Sequence, residues 1–448
     1  MIGEPGLDGT AGGALRMLMH MAVFVAPFTV TTFGGMASLI VYPLSFYYLS
    51  LAFLRGQGSG VGKPCVYFIV LFAAPCVLSL TVGLLSAVVV GSHGIDFLAH
   101  PGLYFGRIVN FIGVIVFFLS LAVCVQRGGR VALDRLIFYY WLGLLIVMLT
   151  AVWQYISFHY GVVEFPFETR ANVHGVSDDL RAEIKFRVTG IAREPSYFAP
   201  LAVLFTLMSI HLFEKKVKYL CALLGITLLM LSFSGGGFLS ALFVGAAFLV
   251  AAFCRGAVSL RSVRNVFIAL ALLWGLFWTY SEQFALVYDV ASQRLVGAAS
   301  METSGRAFMS WMPVVWLFQS NVINVLFGHG LKTYSLLGTV YFLPDGTPVH
   351  VTSNNIFTDH LWEAGVVGVL SLALMFGYLL GLAYRRYGLG KYHRLVYYLV
   401  AAVLSFGLYR GDMFSPSMWF ILFICVWVLS SKRSIAVQGL SAGSKRDM

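Results

Sequence analysis

The chain has 448 residues, of which 59% are hydrophobic and only 11% are charged. A soluble domain carries about 25% charged residues, so the composition excludes an ordinary water-soluble domain. The net charge is +11, but the basic residues flank apolar runs and form no stripe with interleaved aromatics, which excludes nucleic acid as a partner.

Twelve apolar runs of about 20 residues, the length that crosses a hydrocarbon core, predict a polytopic α-helical membrane protein. The first run leads straight into further runs, so no cleavable signal peptide is expected. The predicted spans are 15–32, 36–54, 65–91, 107–126, 136–158, 195–213, 218–233, 237–254, 264–282, 356–384, 394–409 and 416–431. The six cysteines lie in these spans or at their edges and are expected to be small apolar residues rather than disulfides or metal ligands.

The basic residues predict the orientation of the spans. With the N-terminus inside, 20 of the 30 Lys and Arg residues lie on inner segments, as expected for cytoplasmic loops. Both termini are therefore expected in the cytoplasm. The predicted order is a five-span bundle (1–158), an outer loop (159–194), four spans (195–282), a second outer loop (283–355), three spans (356–431) and a cytoplasmic tail (432–448). Aqueous chemistry is expected in the two long loops.

The first outer loop ends with two arginines next to the predicted start of a span at Pro195. Proline suits the first turn of a helix because its missing N–H group costs nothing there. The positive end of the helix dipole then points outward, just after Arg187 and Arg193. Together these groups predict a cradle for a phosphate. The alternative is that both arginines are interfacial anchors.

The second outer loop contains an apolar stretch, 307–327, that is long enough to be mistaken for a span. If it crossed, the basic segment 385–394 would lie outside, so we expect a helix over 306–324 that lies on the outer membrane surface. Ser304 is expected to cap it, with Arg306 at the interface. Its apolar stripe at helical spacing is Phe308, Trp311, Val315, Phe318 and Val322.

Three further residues of the outer side carry titratable groups. His329, between Gly328 and Gly330, is more often a loop residue than a catalyst. Glu363 is expected about 10 Å along its helix from the outer end, at about 1.5 Å per residue. A carboxylate inside a membrane predicts a functional role. The alternative is that Asp359 and Glu363, one turn apart, pair with basic residues from the loops.

Taken together, these residues resemble the O-antigen ligase and polymerase superfamily. The resemblance covers roughly residues 187–385 and rests on the order and spacing of four short motifs. The four motifs are Arg187-x-x-Gly190 with Glu194-Pro195-Ser196 and Ala199; Ser232-Phe233-Ser234-Gly235-Gly236-Gly237; Ser304-Gly305-Arg306 with Trp311 and Phe327-Gly328-x-Gly330; and Asn355 with Glu363-x-Gly365 and Gly368.

Two positions depart from the family pattern. Asn354 stands where the family has a histidine that marks the ligase branch, and Gly235 stands where the family has an arginine. Glu194-Pro195-Ser196 also resembles the polymerase branch more closely. The resemblance therefore implies a polymerase of O-antigen, capsule or exopolysaccharide repeat units, with a fold similar to the GT-C class of membrane glycosyltransferases.

The resemblance also implies substrates, partners and location. Donor and acceptor are oligosaccharides on polyprenyl diphosphate, at the outer face of the bacterial inner membrane. A chain-length regulator or a flippase is an implied partner, beside membrane lipids; no cofactor or metal is expected. The expected catalytic residues are Glu194, Arg187 and Arg306, and the expected substrate-binding residues are Arg193, Ser196, Arg294, His329, Asn354, Asn355 and Glu363.

Two other functions stay open on the sequence alone. One is a ligase that transfers a finished glycan to a lipid or protein acceptor. The other, from a different class, is a transporter or flippase of the same lipid-linked glycans. The chain shows no internal repeat of the kind common in twelve-span transporters, which argues against the transporter.

Overall fold

The computed structural model of the protein describes residues 10–56, 61–89, 101–167, 186–254, 306–333, 339–342, 348–350, 355–409 and 412–431. Helices make up most of these residues. They are α1 (Thr10–Val25), α2 (Gly34–Leu54), α3 (Lys63–Val89), α4 (Pro101–Tyr160), α5 (Pro195–Leu212), α6 (Lys215–Leu231), α7 (Gly235–Cys254), α8 (Arg306–Phe318), α9 (Val322–Phe327), α10 (Ile356–Arg386), α11 (Lys391–Tyr409) and α12 (Pro416–Ser430). Short 3-10 helices follow α1 (Ala26–Val30) and α10 (Tyr387–Leu389).

Among the described residues, six helices are long and apolar enough to cross a membrane, judged by length and composition alone. The prediction of a helical membrane protein is confirmed at this level. Eleven of the twelve predicted spans coincide with helices of the structure, and the ninth, 264–282, lies outside the described residues. The second outer loop adds a short antiparallel pair, β1 (Thr339–Phe342) and β2 (Pro348–His350), which the sequence did not predict.

The fourth and fifth predicted spans both lie in α4, where two helical stretches meet directly at a kink instead of being joined by a longer loop. The chain changes direction at Gly129, whose φ of 58° and ψ of −145° are not helical. A glycine takes such a left-handed φ without the steric cost that a Cβ would bring. A single residue therefore replaces the predicted inner connection between the two spans.

The core of the bundle is aromatic, and it also contains a paired set of buried hydroxyl groups. Trp419 of α12 packs edge to face against Phe72 of α3 and Phe118 of α4, at ring distances of 4.7 and 5.6 Å. The Tyr140 hydroxyl lies 2.6 Å from the Ser417 hydroxyl. Pairing of this kind is expected away from water, because an unpaired buried polar group is costly there.

The predicted surface helix over 306–324 is wrong in extent. The structure has two helices, α8 and α9, separated by residues 319–321. Asn321 starts the second helix, since its side chain accepts a hydrogen bond of 2.9 Å from the Asn324 amide. An asparagine that caps a new helix cannot lie inside a continuous one. Trp311 and Phe318 of the predicted stripe are 54% and 58% exposed, so this part of the apolar face is unburied.

Candidate functional site

Four motif-bearing segments approach one another at one end of the bundle. This end, where α5, α10 and α12 begin and α6 and α11 end, is called the outer end below, after its predicted orientation. Segment 186–194 leads into α5, segment 231–237 joins α6 to α7, segment 327–333 follows α9, and segment 355–368 opens α10. The contacts between them define the candidate site.

Segment 186–194 is folded into the bundle rather than exposed above it. Residues 187–192 are all buried, although the sequence predicted an aqueous loop here. The buried side chain of Gln154, on α4, holds this backbone. Its Oε1 atom accepts hydrogen bonds of 2.8 Å from the amides of Thr189 and Gly190, and its Nε2 atom donates to the Thr189 hydroxyl at 3.0 Å. A neutral amide thus satisfies a turn that water cannot reach.

Gly190 allows this segment to lie against α4. Its φ is +55°, and an added Cβ would lie 2.9 Å from the Thr150 hydroxyl oxygen and 3.0 Å from the Val147 carbonyl oxygen. Thr32, which precedes α2, also holds the segment, since its amide donates a hydrogen bond of 3.1 Å to the Ile191 carbonyl. Only a glycine fits this position without moving one of these neighbours.

The two arginines of this segment differ in their surroundings. Arg187 is 6% exposed, and its burial argues against the alternative in which it is an anchor at the membrane surface. Arg193, six residues later, is exposed. The segment therefore presents one enclosed and one accessible guanidinium group beside the start of α5.

Helix α5 begins at Pro195, where the sequence predicted it, with the proline in the first turn. Glu194 precedes it in an extended conformation and is partly buried. The Ser196 hydroxyl donates a hydrogen bond of 3.3 Å to Glu194 Oε2. The carboxylate is thus placed at the positive end of the helix dipole.

The glycine turn after α6 packs against this region. The turn occupies residues 232–234, and α7 already begins at Gly235, two residues before the predicted start of that span. The Val188 amide donates to the Leu231 carbonyl at 3.0 Å. A Cβ added at Gly236 would collide with the ring of Tyr409 on α11. These contacts join segments 186–194 and 231–237 to the outer end of α11.

Segments 327–333 and 355–368 meet through two glycines. Gly328 has a φ of +77° and Gly365 a φ of +67°. A Cβ at Gly328 would collide with the Glu363 carbonyl, and a Cβ at Gly365 would collide with the Leu326 carbonyl. Gly365 also interrupts the helical geometry of α10. The two backbones can lie in direct contact only because both positions lack a side chain.

His329 is held between these two segments. Its amide donates to the Trp362 carbonyl at 3.0 Å, and its ring stacks on the Trp362 ring at 4.3 Å. The ring is largely buried, and this burial lowers the pKa of His329 to about 4. The imidazole is therefore neutral near pH 7 and can accept a hydrogen bond.

Asn355 and Glu363, both predicted to bind substrate, have structural partners. Asn355 caps α10, and its side chain accepts a hydrogen bond of 2.9 Å from the Phe357 amide. Glu363 Oε2 lies 3.3 Å from Arg107 Nη2, and the Glu363 side chain is 4% exposed. Glu363 therefore has a basic partner, as the predicted alternative required, but the partner comes from α4 rather than from a loop. The binding roles of both residues stay predictions.

Arg107 and Asp412 also lie at this end, and the sequence did not single them out. Arg107 lies near the start of α4, and its Nη1 atom is 3.5 Å from Asp412 Oδ1, in the turn between α11 and α12. The sequence offered one signal for Arg107, namely its position. Arg107 and Arg410 are the two predicted outer basic residues that lie outside the long loops.

Several predicted site residues are not placed by the structure. Arg294, Ser304 and Asn354 lie outside the described residues. Arg306 is the first residue of α8, but its side chain lies outside the described part. The structure brings together the segments of Arg187, Arg193, Glu194 and Ser196 on one side, and those of His329, Asn355 and Glu363 on the other. Within the described residues, no group of three or more His, Cys, Asp or Glu side chains could hold a metal ion.

Comparisons with known proteins give no relative from which a function could be carried over. No protein-family model matches the chain, and no curated protein matches it significantly. The functional argument therefore rests on the residues and on their arrangement at the outer end.

Proposed function

We propose that this protein is a membrane glycosyltransferase that polymerises oligosaccharide repeat units carried on polyprenyl diphosphate. The observation that carries the proposal is the meeting of the motif-bearing segments at the outer end. Segment 186–194 contacts the turn after α6, that turn contacts α11, and α11 contacts the start of α10 at Gly407 and Ile356. Segment 327–333 then contacts α10 at Glu363. Motifs that are far apart in sequence are thus linked by a chain of contacts at the outer end.

The proposed reaction joins two lipid-linked glycans. A sugar hydroxyl of the acceptor attacks the anomeric carbon of the donor, forming a new glycosidic C–O bond. The bond between that carbon and the diphosphate oxygen breaks, and the lipid diphosphate leaves with the electron pair. Glu194 accepts the hydroxyl proton, and Arg187, Arg193 and Arg306 stabilise the negative charge that grows on the diphosphate.

The geometry supports these roles in two ways. Arg187 is enclosed, and a guanidinium group in a poorly hydrated position interacts more strongly with an anion than one in water. Glu194 follows it at the start of α5, so acid-base and charge-stabilising groups share one short segment. Ser196, Arg294, His329, Asn354, Asn355 and Glu363 are proposed to bind the glycan or the diphosphate.

We also propose twelve spans, with both termini in the cytoplasm and both long loops outside, in the bacterial inner membrane. A membrane-impermeant thiol reagent should modify Ser177→Cys and Thr347→Cys in intact spheroplasts, in a variant without accessible native cysteines. It should not modify Ser444→Cys. These three positions lie outside the described residues. Modification of Ser444→Cys in sealed cells would show that the C-terminus lies outside, which contradicts the proposed topology.

Reconstitution separates the three candidate functions. Purified protein in liposomes would be given lipid-linked repeat units, and the products would be separated by size. A ladder of lengthened glycans is the expected result. Transfer of whole glycans to a different acceptor would instead indicate a ligase, and movement across the bilayer without new bonds would indicate a flippase.

A further inference from the structure

A partly buried ionic cluster joins three parts of the chain at the outer end. Arg107, on α4, is the shared cation, and its side chain is 13% exposed. Its two terminal nitrogens lie 3.3 Å from Glu363 Oε2 on α10 and 3.5 Å from Asp412 Oδ1 before α12. The guanidinium carbon also lies 3.7 Å from the ring centroid of Phe414. One side chain therefore links α4, α10 and the turn between α11 and α12.

The two carboxylates depend on Arg107 to different degrees. The side chain of Glu363 is 4% exposed, whereas that of Asp412 is 54% exposed. Water can stabilise the charge of Asp412, but a carboxylate as buried as Glu363 needs a partner or a proton. Loss of Arg107 would therefore affect Glu363 most.

The backbone of Glu363 and its neighbour Trp362 accepts the hydrogen bonds that hold the turn at 328–330. The Gly330 amide donates to the Glu363 carbonyl at 3.1 Å, and the Ser79 hydroxyl donates to the same carbonyl. The neighbouring Trp362 carbonyl accepts from the His329 amide. A shift of Glu363 therefore moves both hydrogen-bond acceptors on which the turn depends.

We infer that Arg107 is a positioning residue, which holds Glu363 and through it the turn at 328–330 at the outer end. It is not assigned contact with the reacting atoms. Its effect on catalysis rests on the proposed function, in which His329 and Glu363 bind substrate. Its effect on the turn does not depend on that function and can be measured without substrate.

The accessibility of position 329 reports the state of the turn. His329→Cys would be made in a variant lacking the exposed Cys254 and the partly exposed Cys221, and its reaction rate with a water-soluble maleimide would be measured in detergent. The reaction should be slow with Arg107 present and about tenfold faster in Arg107→Ala. Arg107→Lys keeps a charge but offers one nitrogen for two carboxylates, so it should be about threefold faster.

Matched variants distinguish positioning from general loss of structure. Glu363→Gln should accelerate labelling more than Asp412→Asn does, because Asp412 is half exposed and Glu363 is not. The exchange Arg107→Glu with Glu363→Arg should restore slow labelling at least in part. Arg385→Ala, which removes an exposed arginine at the other end of α10, should leave the rate unchanged.

Two results would overturn the inference. One is a labelling rate within twofold of the parent in both Arg107→Ala and Arg107→Lys. The other is a faster rate in the Arg385→Ala control that equals the rate in the Arg107 variants. If Arg107→Ala does not accumulate, Arg107→Lys and Glu363→Gln decide the question by the same thresholds.

An activity measurement distinguishes failure of the proposed glycosyltransferase function from failure of the positioning role of Arg107. In the reconstituted assay, Arg107→Lys should lengthen glycans about tenfold more slowly than the parent, with the apparent KM for donor raised, and the charge exchange should recover part of the rate. If the parent makes no ladder but the labelling pattern holds, the proposed function fails and the positioning role stands. If the ladder forms normally in Arg107→Ala while labelling accelerates, the catalytic consequence is wrong.

Discussion

The two halves of the outer end are held together by different chemistry. Segment 186–194 is anchored by a neutral amide, since Gln154 bonds to the backbone of Thr189 and Gly190. The turn at 328–330 is anchored next to a charged pair, Arg107 and Glu363. A neutral anchor adds no net charge beside Arg187, which is compatible with the proposed role of Arg187 in binding an anion. The charged anchor can fail in a single substitution that leaves a buried ion unpaired.

The largest loss of stability is expected where the backbone before the turn at 328–330 touches the backbone of α10. Gly365→Ala places a Cβ against the Leu326 carbonyl at a φ of +67°, and we expect a loss of about 2–5 kcal/mol from overpacking and left-handed strain together. Unfolding of the detergent-purified protein, followed by helical circular dichroism against denaturant, would measure it.

The same helix supplies the control for this prediction. Gly377→Ala meets nothing within 4 Å and should be neutral or gain a few tenths of a kcal/mol, because alanine is the better helix former. Equal stability of the Gly365 and Gly377 variants would contradict the close approach at Gly328 and Gly365.

The neutral anchor should be the next most sensitive point. Gln154→Leu replaces the amide with an apolar side chain of similar size, and leaves the Thr189 and Gly190 amides without their acceptor. Each unpaired buried group costs about 1–3 kcal/mol, so a loss of about 2–3 kcal/mol is expected after local relaxation.

The exposed Gln126, on the same helix, provides a matched change. Gln126→Leu should alter the denaturation midpoint only slightly. A Gln154→Leu variant that unfolds at the same denaturant concentration as Gln126→Leu would show that segment 186–194 does not depend on this amide.

The smallest effect concerns the proton on His329. Burial lowers the pKa of His329 to about 4, below the value near 6.5 that an unfolded chain would have. The unfolded state therefore binds more protons between these values, and the stability of the turn is lost as the pH falls from about 6.5 towards 4. Above pH 6.5 the neutral His329 ring contributes its full share to the stability of the turn.

Tryptophan fluorescence can follow this protonation, because the His329 ring stacks on Trp362 at 4.3 Å. The difference in fluorescence between the parent and Trp362→Phe should change with a midpoint near pH 4 and should not do so in His329→Gln. A midpoint near 6.5 would place the imidazole in water instead of in the contact described above.

The sequence predicted the features that local chemistry determines. Apolar length placed most helices, and Pro195 marked the start of α5 because its ring fits the first helical turn. The break at Asn321 was missed because the apolar stripe continues across it in helical register. A capping asparagine overrides periodicity there.

Tertiary pairing was beyond the reach of the sequence. Arg107 and Glu363 are 256 residues apart, and no local pattern connects them. The burial of Arg187 was missed for the same reason, because it follows from Gln154 on a helix that precedes the loop. Both cases concern polar residues whose environment is built by other segments.

The most direct test of the central claim is glycan lengthening by arginine variants in the reconstituted assay. Arg187→Ala, Arg193→Ala and Arg306→Ala should each lose most of the activity while the protein still inserts, and the corresponding lysine variants should recover only part of it, since lysine lacks the planar two-pronged contact. Glu194→Gln, which keeps size but cannot take a proton, should also be slow. If all three alanine variants lengthen glycans at the parent rate, the chemistry does not take place at this end of the bundle.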